Sequence, residues 1–130
     1  MTGLDIDVLA GTYAVSRLSP DEPAPEWARG ELLALVRTPD ELSIVSAADS
    51  VPVSVTSEPG WRALKVMGPL DSSLVGILAA LSGSLARAEI ALFALSTFDT
   101  DYLIVREQDL ERAVHVLESE GHRIAGASGA

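Results

Sequence analysis

Cysteine is absent from the 130 residues, which excludes a disulfide framework, a thiolate nucleophile and a cysteine-built zinc site. A chain without cysteine fits the reducing cytosol, so a cytoplasmic location is expected. Positive charge is scarce: Lys and Arg number 9 against 19 Asp and Glu, for a formal net charge of -10. An exterior of that sign repels phosphate backbones and anionic lipid, so neither nucleic acid nor a membrane surface is an expected partner. No unbroken apolar run is long enough to span a bilayer, because the stretch Leu74 to Leu95 is interrupted by Ser82, Ser84, Arg87 and Glu89. Asp5 and Asp7 stand near the amino terminus where a secretory signal would carry Lys or Arg, so no export is expected. Also missing are the GxSxG elbow, the phosphate-binding GxxxxGK[ST] and GxGxxG. An enzyme is therefore not expected, and neither is a cofactor.

What the chain does have is apolar side chain. Hydrophobic residues make up 48% of it, enough for a core and too much for a disordered chain. Its length suits one ordinary domain or two very small modules.

From Trp61 to Ile124 the periodicity switches regularly. WRALKVM reads as a strand that ends at the breaker pair Gly68-Pro69. Leu74, Ile77, Leu78, Leu81 and Leu85 then fall on one helical stripe, with Asp71 as expected N-cap and Leu70 with Val75 as a hydrophobic staple. IALFALSTF, Ile90 to Phe98, and DYLIV, Asp101 to Val105, read as two strands of a hairpin whose turn uses Asp99 and Thr100. A second helix carries Leu110, Ala113, Val114 and Leu117 on its apolar face, with Asp109 as cap and Gly121 as terminator. HRIA, His122 to Ala125, closes as a short strand. The order β-α-β-β-α-β predicts an α+β, ferredoxin-like unit with two helices on one face of an antiparallel sheet. Ile90 and Leu92 are expected on a sheet face that needs a further cover.

Ahead of this unit, LAGTYAVSRL, ELLALVRT and LSIVSA read as strands. The insert SPDEPAPEWARG, with three prolines, allows at most a turn of helix near Pro25 to Arg29, with Trp27 as an anchor. An internal echo links RTPDELSIV, Arg37 to Val45, with STFDTDYLIV, Ser96 to Val105, and suggests duplication. Turn chemistry alone also makes hairpins resemble one another. The expected division is an amino-terminal module over 1–60, a carboxy-terminal one over 61–125 and a disordered tail over 126–130.

Two places carry candidate binding chemistry. GPLDSSLVGIL, Gly68 to Leu78, places free N–H groups at a helix start, which attract anions, and Ser72 and Ser73 permit close approach. The same residues also suit an ordinary capped helix. The hairpin STFDTDY gathers Ser96, Thr97, Asp99, Thr100 and Asp101 as acceptors for an ammonium or guanidinium group, and Thr38, Asp40, Glu41 and Ser43 repeat that chemistry in the first half. Both clusters equally suit polar turns. His115 and His122 lack metal-ligand spacing and read as surface residues, so no metal site is expected.

With these segments in hand, the sequence resembles an ACT domain protein of the paired type, similar to the regulatory region of aspartate kinases and to CASTOR-type amino-acid sensors. LAGTYAVSRL, Trp27, RTPDELSIV, GWRALKVMGPLDSSLVGILAALSGSLARAEI and above all FALSTFDTDYLIVREQDLERAVHVLESEGH carry the resemblance. It implies two ACT modules side by side, the first degenerate and without its first helix. It implies a non-enzymatic regulatory protein that binds a small molecule, an amino acid, where the two modules meet, and a homodimer. The residues it points to are Gly68, Asp71, Ser72, Ser73 and Gly76, with Ser96, Thr97, Phe98, Asp99, Thr100 and Asp101 from the hairpin and Thr38, Glu41, Ser43 and Ile44 from the first half. Regulatory output would pass through a separate, unidentified protein or through self-association. The alternative is a structural interaction module that binds other proteins without a ligand.

Overall fold

The computed structural model describes residues 3–67 and 76–126. The elements run β1 (Asp5–Val8), β2 (Tyr13–Leu18), β3 (Ala34–Arg37), β4 (Leu42–Ala47), β5 (Thr56–Val66), α1 (Ile77–Arg87), β6 (Leu92–Ser96), β7 (Asp101–Arg106), α2 (Leu110–Ser119) and β8 (Arg123–Gly126). The chain divides into two compact units, Gly11–Trp61 and Met1–Ala10 with Arg62–Ala130. The boundary expected after residue 60 falls after Trp61, whereas residues 1–10, expected in the amino-terminal module, pack in the larger unit.

In the larger unit the strands lie in the order β8-β1-β5-β7-β6. The β-α-β-β-α-β order is present as expected, but a fifth strand, β1, stands between β5 and β8. β1 runs antiparallel to β5, with Ile6 opposite Val66, and parallel to β8, with Asp5 opposite Arg123, so the sheet is not wholly antiparallel. The short run DIDV alternates strictly: Ile6 and Val8 are buried while Asp5 is exposed, the period of a strand with one covered face.

The helices cover that face. Ile77, Leu81 and Leu85 of α1 and Leu110, Ala113 and Leu117 of α2 meet Ile6, Val8, Leu64, Val66, Leu103 and Val105 in one core. Each buried Leu or Ile removed from water there contributes roughly 1.5–3 kcal/mol. Ile90 and Leu92 belong to this helix-covered core rather than to a face awaiting a cover. Register decides it: Leu92 stands opposite Val105, a core residue, so Phe93 and Leu95 point the other way.

Both helices end in the same motif. In α2 the N–H of Gly121 reaches the Glu118 carbonyl at 3.0 Å and that of His122 reaches Leu117 at 3.2 Å, with Gly121 at φ 96° as expected. In α1 the N–H of Glu89 reaches Ala86 at 2.9 Å and that of Ile90 reaches Leu85 at 3.0 Å, but the left-handed position holds Glu89 at φ 61°. Because Ile90 completes that helix end, β6 begins at Leu92 rather than at Ile90.

Asp71, Leu70 and Val75, the expected cap and staple, lie outside the described residues, and α1 is described from Ile77 with Gly76 ahead of it. Asp109 does precede α2 but makes no side-chain cap. A short 3-10 turn, Glu107–Asp109, leads into the helix and leaves Asp109 out of the extended conformation a capping side chain needs, so its carboxylate pairs with Arg112 at 3.2 Å. β8 extends to Gly126, the first residue of the expected tail, and 127–130 lie outside the described residues.

The smaller unit is a four-stranded antiparallel arrangement, β3-β4-β2 and the first part of β5. LAGTYAVSRL is not one strand: the chain bends at Gly11, with φ 78°, before β2 starts at Tyr13. Among its described residues there is no α-helix. The proline-rich insert makes two turns, Glu22 N–H to the Ser19 carbonyl at 3.1 Å and Ala28 N–H to the Pro25 carbonyl at 3.4 Å, with Trp27 half-buried. Tyr13, Ala14, Leu32, Leu42, Ile44, Val45 and Trp61 are its buried apolar residues, and the Tyr13 hydroxyl accepts the Leu32 N–H at 3.3 Å.

Candidate functional site

The hairpin between β6 and β7 turns through Thr97, Phe98, Asp99 and Thr100, with Ser96 opposite Asp101. Thr97 shapes the turn twice over. Its main-chain N–H donates to the Thr100 carbonyl at 2.8 Å, and its Oγ1 accepts the Thr100 N–H at 3.1 Å. Ser96 Oγ donates to Asp101 Oδ1 at 2.6 Å. Thr100 is buried, and its hydroxyl donates to the Val66 carbonyl, the last residue of β5. That bond fixes the polar turn at the end of β5. Phe98 is wholly exposed at the tip.

This gathering includes many of the residues picked from sequence. Ser96, Thr97, Phe98, Asp99, Thr100 and Asp101 sit in or beside one turn, and Gly76 stands at the start of α1 with φ 79°. Gly68, Asp71, Ser72 and Ser73 lie outside the described residues.

In the smaller unit the β3–β4 hairpin repeats the turn. Thr38 N–H donates to the Glu41 carbonyl at 2.9 Å, and Thr38 Oγ1 accepts the N–H groups of Asp40 at 3.1 Å and Glu41 at 3.2 Å. The internal echo is therefore an echo of geometry, with Thr38 and Thr97 in the same role. Beyond the turn a pocket of about 410 Å³ opens over β2, β4 and β5, lined by Val15, Arg17, Glu41, Ser43 and Thr56 to Glu58 among others. Arg17 pairs with Glu41 at 3.4 Å, and Ser43 Oγ donates to the same carboxylate at 2.7 Å. Glu41 and Ser43 are thus brought together, while Ile44, fully buried, points to the opposite face. Sequence reading missed Arg17, Thr56, Ser57 and Glu58, although the alternation of YAVSRL already places Arg17 on the face opposite Ser16.

A second polar group joins the ends of the helices in the larger unit. Glu120 accepts Ser84 Oγ at 2.9 Å and Arg87 at 3.0 Å, beside His122, around a pocket of about 230 Å³. These donors hold the Glu120 carboxyl below its ordinary range, the Ser84 hydroxyl most of all. His115 is exposed as expected, but His122 is not a surface residue: it is 8% exposed, packed where α2 gives way to β8. Among the described residues no three His, Asp or Glu are grouped to hold a metal ion, and no helix is long and apolar enough to cross a membrane.

Comparison with known proteins agrees with this architecture. A family model described as ACT domain matches residues 56–119, and a second model, for an N-terminal domain, matches 11–54. The bovine (Bos taurus) cytosolic arginine sensor for mTORC1 subunit 1 is 27% identical over 107 residues, covering 74% of this chain and 32% of that protein. Its human (Homo sapiens) counterpart is 34% identical over 74 residues, covering 55% of this chain and 22% of that protein. The chain thus spans about a third or less of these relatives. A crystal structure of an Agrobacterium tumefaciens protein superposes with a TM-score of 0.91 at 37% identity, over 98% of this chain and 96% of that one. The regulatory subunit of aspartate kinase from Thermus thermophilus shares the fold, with a TM-score of 0.61 at 10% identity over 92% of this chain and 96% of that one. The β-α-β-β-α-β unit and the matched segment identify residues 56–119 of the chain as an ACT domain.

Proposed function

We propose that this chain is a non-catalytic regulatory protein of the cytosol that binds a free amino acid and acts as a homodimer, passing its signal to a separate protein. The carrying observation is the hydrogen bond from Thr100 to the Val66 carbonyl, which holds a turn rich in carboxylate and hydroxyl oxygen at the end of β5. Asp99, Asp101, Ser96 and Thr97 suit the ammonium end of an amino acid. Gly68, Asp71, Ser72, Ser73 and Gly76, ahead of and at the start of α1, suit its carboxylate end through main-chain N–H groups. Phe98 supplies an exposed apolar surface for the side chain. In the smaller unit Thr38, Glu41 and Ser43 are the corresponding contacts, with Ile44 as a packing residue. The regulatory relatives support the reading, one of them named as an arginine sensor.

The test is thermal unfolding of the purified chain with each of the twenty amino acids. A ligand at 100 times its dissociation constant adds about 2.7 kcal/mol to the folded state, which moves the midpoint by several degrees. One or two amino acids should do so, and Asp71→Ala and Asp101→Ala should each lose the response while keeping the ligand-free midpoint. No response to any of the twenty overturns ligand binding and leaves a module that docks proteins alone.

A further inference from the structure

We propose that the cavity where the end of α2 meets α1 is a second binding site, built for the carboxamide group of a small neutral molecule. It shares no residue with the hairpin site and does not rest on the amino-acid reading.

The cavity, of about 230 Å³, is lined by Ala80, Ser84, Arg87, Glu120 and His122. Two of its polar walls are more than nine-tenths buried, Ser84 at 6% and His122 at 8% exposed. They differ in how their hydrogen-bonding groups are used. Ser84 Oγ donates to Glu120 Oε1 at 2.9 Å, and Arg87 donates to the same oxygen at 3.0 Å. His122 accepts the Leu4 N–H on Nδ1 at 3.1 Å, which leaves the proton of the neutral ring on Nε2. Among the described residues nothing accepts that proton, and a donor so nearly buried is costly to leave unpaired.

Charge selects the ligand. Arg87 and Glu120 offset each other in their ion pair, and the ring, whose pKa burial lowers, is neutral at pH 7.5, so the lining carries no net charge. A carboxylate or phosphate would find the one cation of the lining already engaged and would enter against a protein of net charge -10. An ammonium would find a carboxylate already shared by two donors. What remains is one donor, His122 Nε2–H, and one acceptor, Glu120 Oε2, because the other oxygen takes both bonds. A carboxamide offers the complement, an oxygen that accepts and an N–H that donates on a single carbon. Ala80 adds a small apolar wall for the carbon next to it.

Propionamide, propionate and propylammonium are alike in size and differ in the charge of the head group. In an NMR titration of the full chain at pH 7.5, read at the His122 imidazole and the Leu4 amide, propionamide should give saturable shifts. Its dissociation constant should be on the order of 10 mM, as suits about five non-hydrogen atoms, and both ions should bind at least tenfold more weakly. Ala80→Leu fills the cavity with a good helix former, and it should abolish the response while the Leu4 amide keeps its own shift. Glu120→Gln puts a donor where Oε2 accepts and releases Arg87, so this variant should prefer propionate. A parent chain that binds none of the three, or prefers either ion, overturns the proposal. So does an Ala80→Leu chain that still binds propionamide, or a Glu120→Gln chain with the parent's preference.

Discussion

His122 accepts the main-chain N–H of Leu4 on its Nδ1 at 3.1 Å, across 118 positions of sequence. Next to it the Arg123 N–H donates to the Leu4 carbonyl at 2.8 Å, and Arg123 Nε reaches Asp5 at 2.6 Å. The imidazole thus helps seat β1 against β8. A neutral ring that accepts on Nδ1 carries its proton on Nε2, and a protonated ring has no acceptor left.

Stability should therefore fall with acid in a window set by His122. Burial, above all, pushes its pKa below the ordinary 6.5; the Glu120 carboxylate acts in the opposite direction and Arg123 adds to the lowering. A folded-state pKa below the unfolded one means the unfolded chain binds more protons in between. The contribution is full above pH 6.5 and is lost as pH falls through the lowered folded value. Thermal midpoints measured from pH 7.5 down to 5 should decline for the parent chain, and His122→Gln should flatten that part of the profile. Asp5, lowered chiefly by its hydrogen bond to Arg123, and Glu120 add losses only at lower pH, in the carboxylate range.

Glu89 occupies a left-handed backbone position that glycine fills in α2, and it is exposed. A side chain in that region costs about 1–2 kcal/mol. Glu89→Gly is expected to raise the stability of the chain by about 1 kcal/mol, read in urea unfolding. An unchanged or lower midpoint at constant slope would mean that the Glu89 side chain offsets its own backbone strain.

Leu117 and Leu81 are fully buried on facing helices. Leu117→Ala or Leu81→Ala should each cost about 2–5 kcal/mol, the lost transfer energy plus the cavity left behind. Changing surface Leu33 to Ala should cost far less, and equilibrium denaturation of all three variants makes the comparison.

Thr97 and Thr38 invite a matched pair of substitutions. Thr97→Val and Thr38→Val keep the shape of the side chain and remove the hydroxyl that accepts the turn N–H groups. Each should lose about 1 kcal/mol of stability. Hydrogen exchange should show the loosening confined to the hairpin concerned. Loosening of both hairpins by one substitution would refute the local character of these bonds.

Which parts were legible follows from the range of the forces involved. The two helices, the hairpins and the Gly121 terminator are local: period 3.6 against period 2, a Thr-x-Asp turn and a glycine at the left-handed position are written within a dozen residues. The binding candidates of the β6–β7 turn were legible for the same reason, since Ser96 to Asp101 are neighbours in sequence. Asp109 misled because its side chain had a second choice, Arg112, that spacing alone did not weigh.

The chain by itself determined its local elements, its acidic exterior and its lack of thiol chemistry. Only the tertiary structure decided that β1 lies between β5 and β8, that His122 is buried rather than exposed, and that Arg17, Glu41, Ser43 and Thr56 line one pocket. Strand partners and burial are settled by whichever distant segment offers matching main-chain groups and an apolar face, and that choice is not encoded in any one window of sequence.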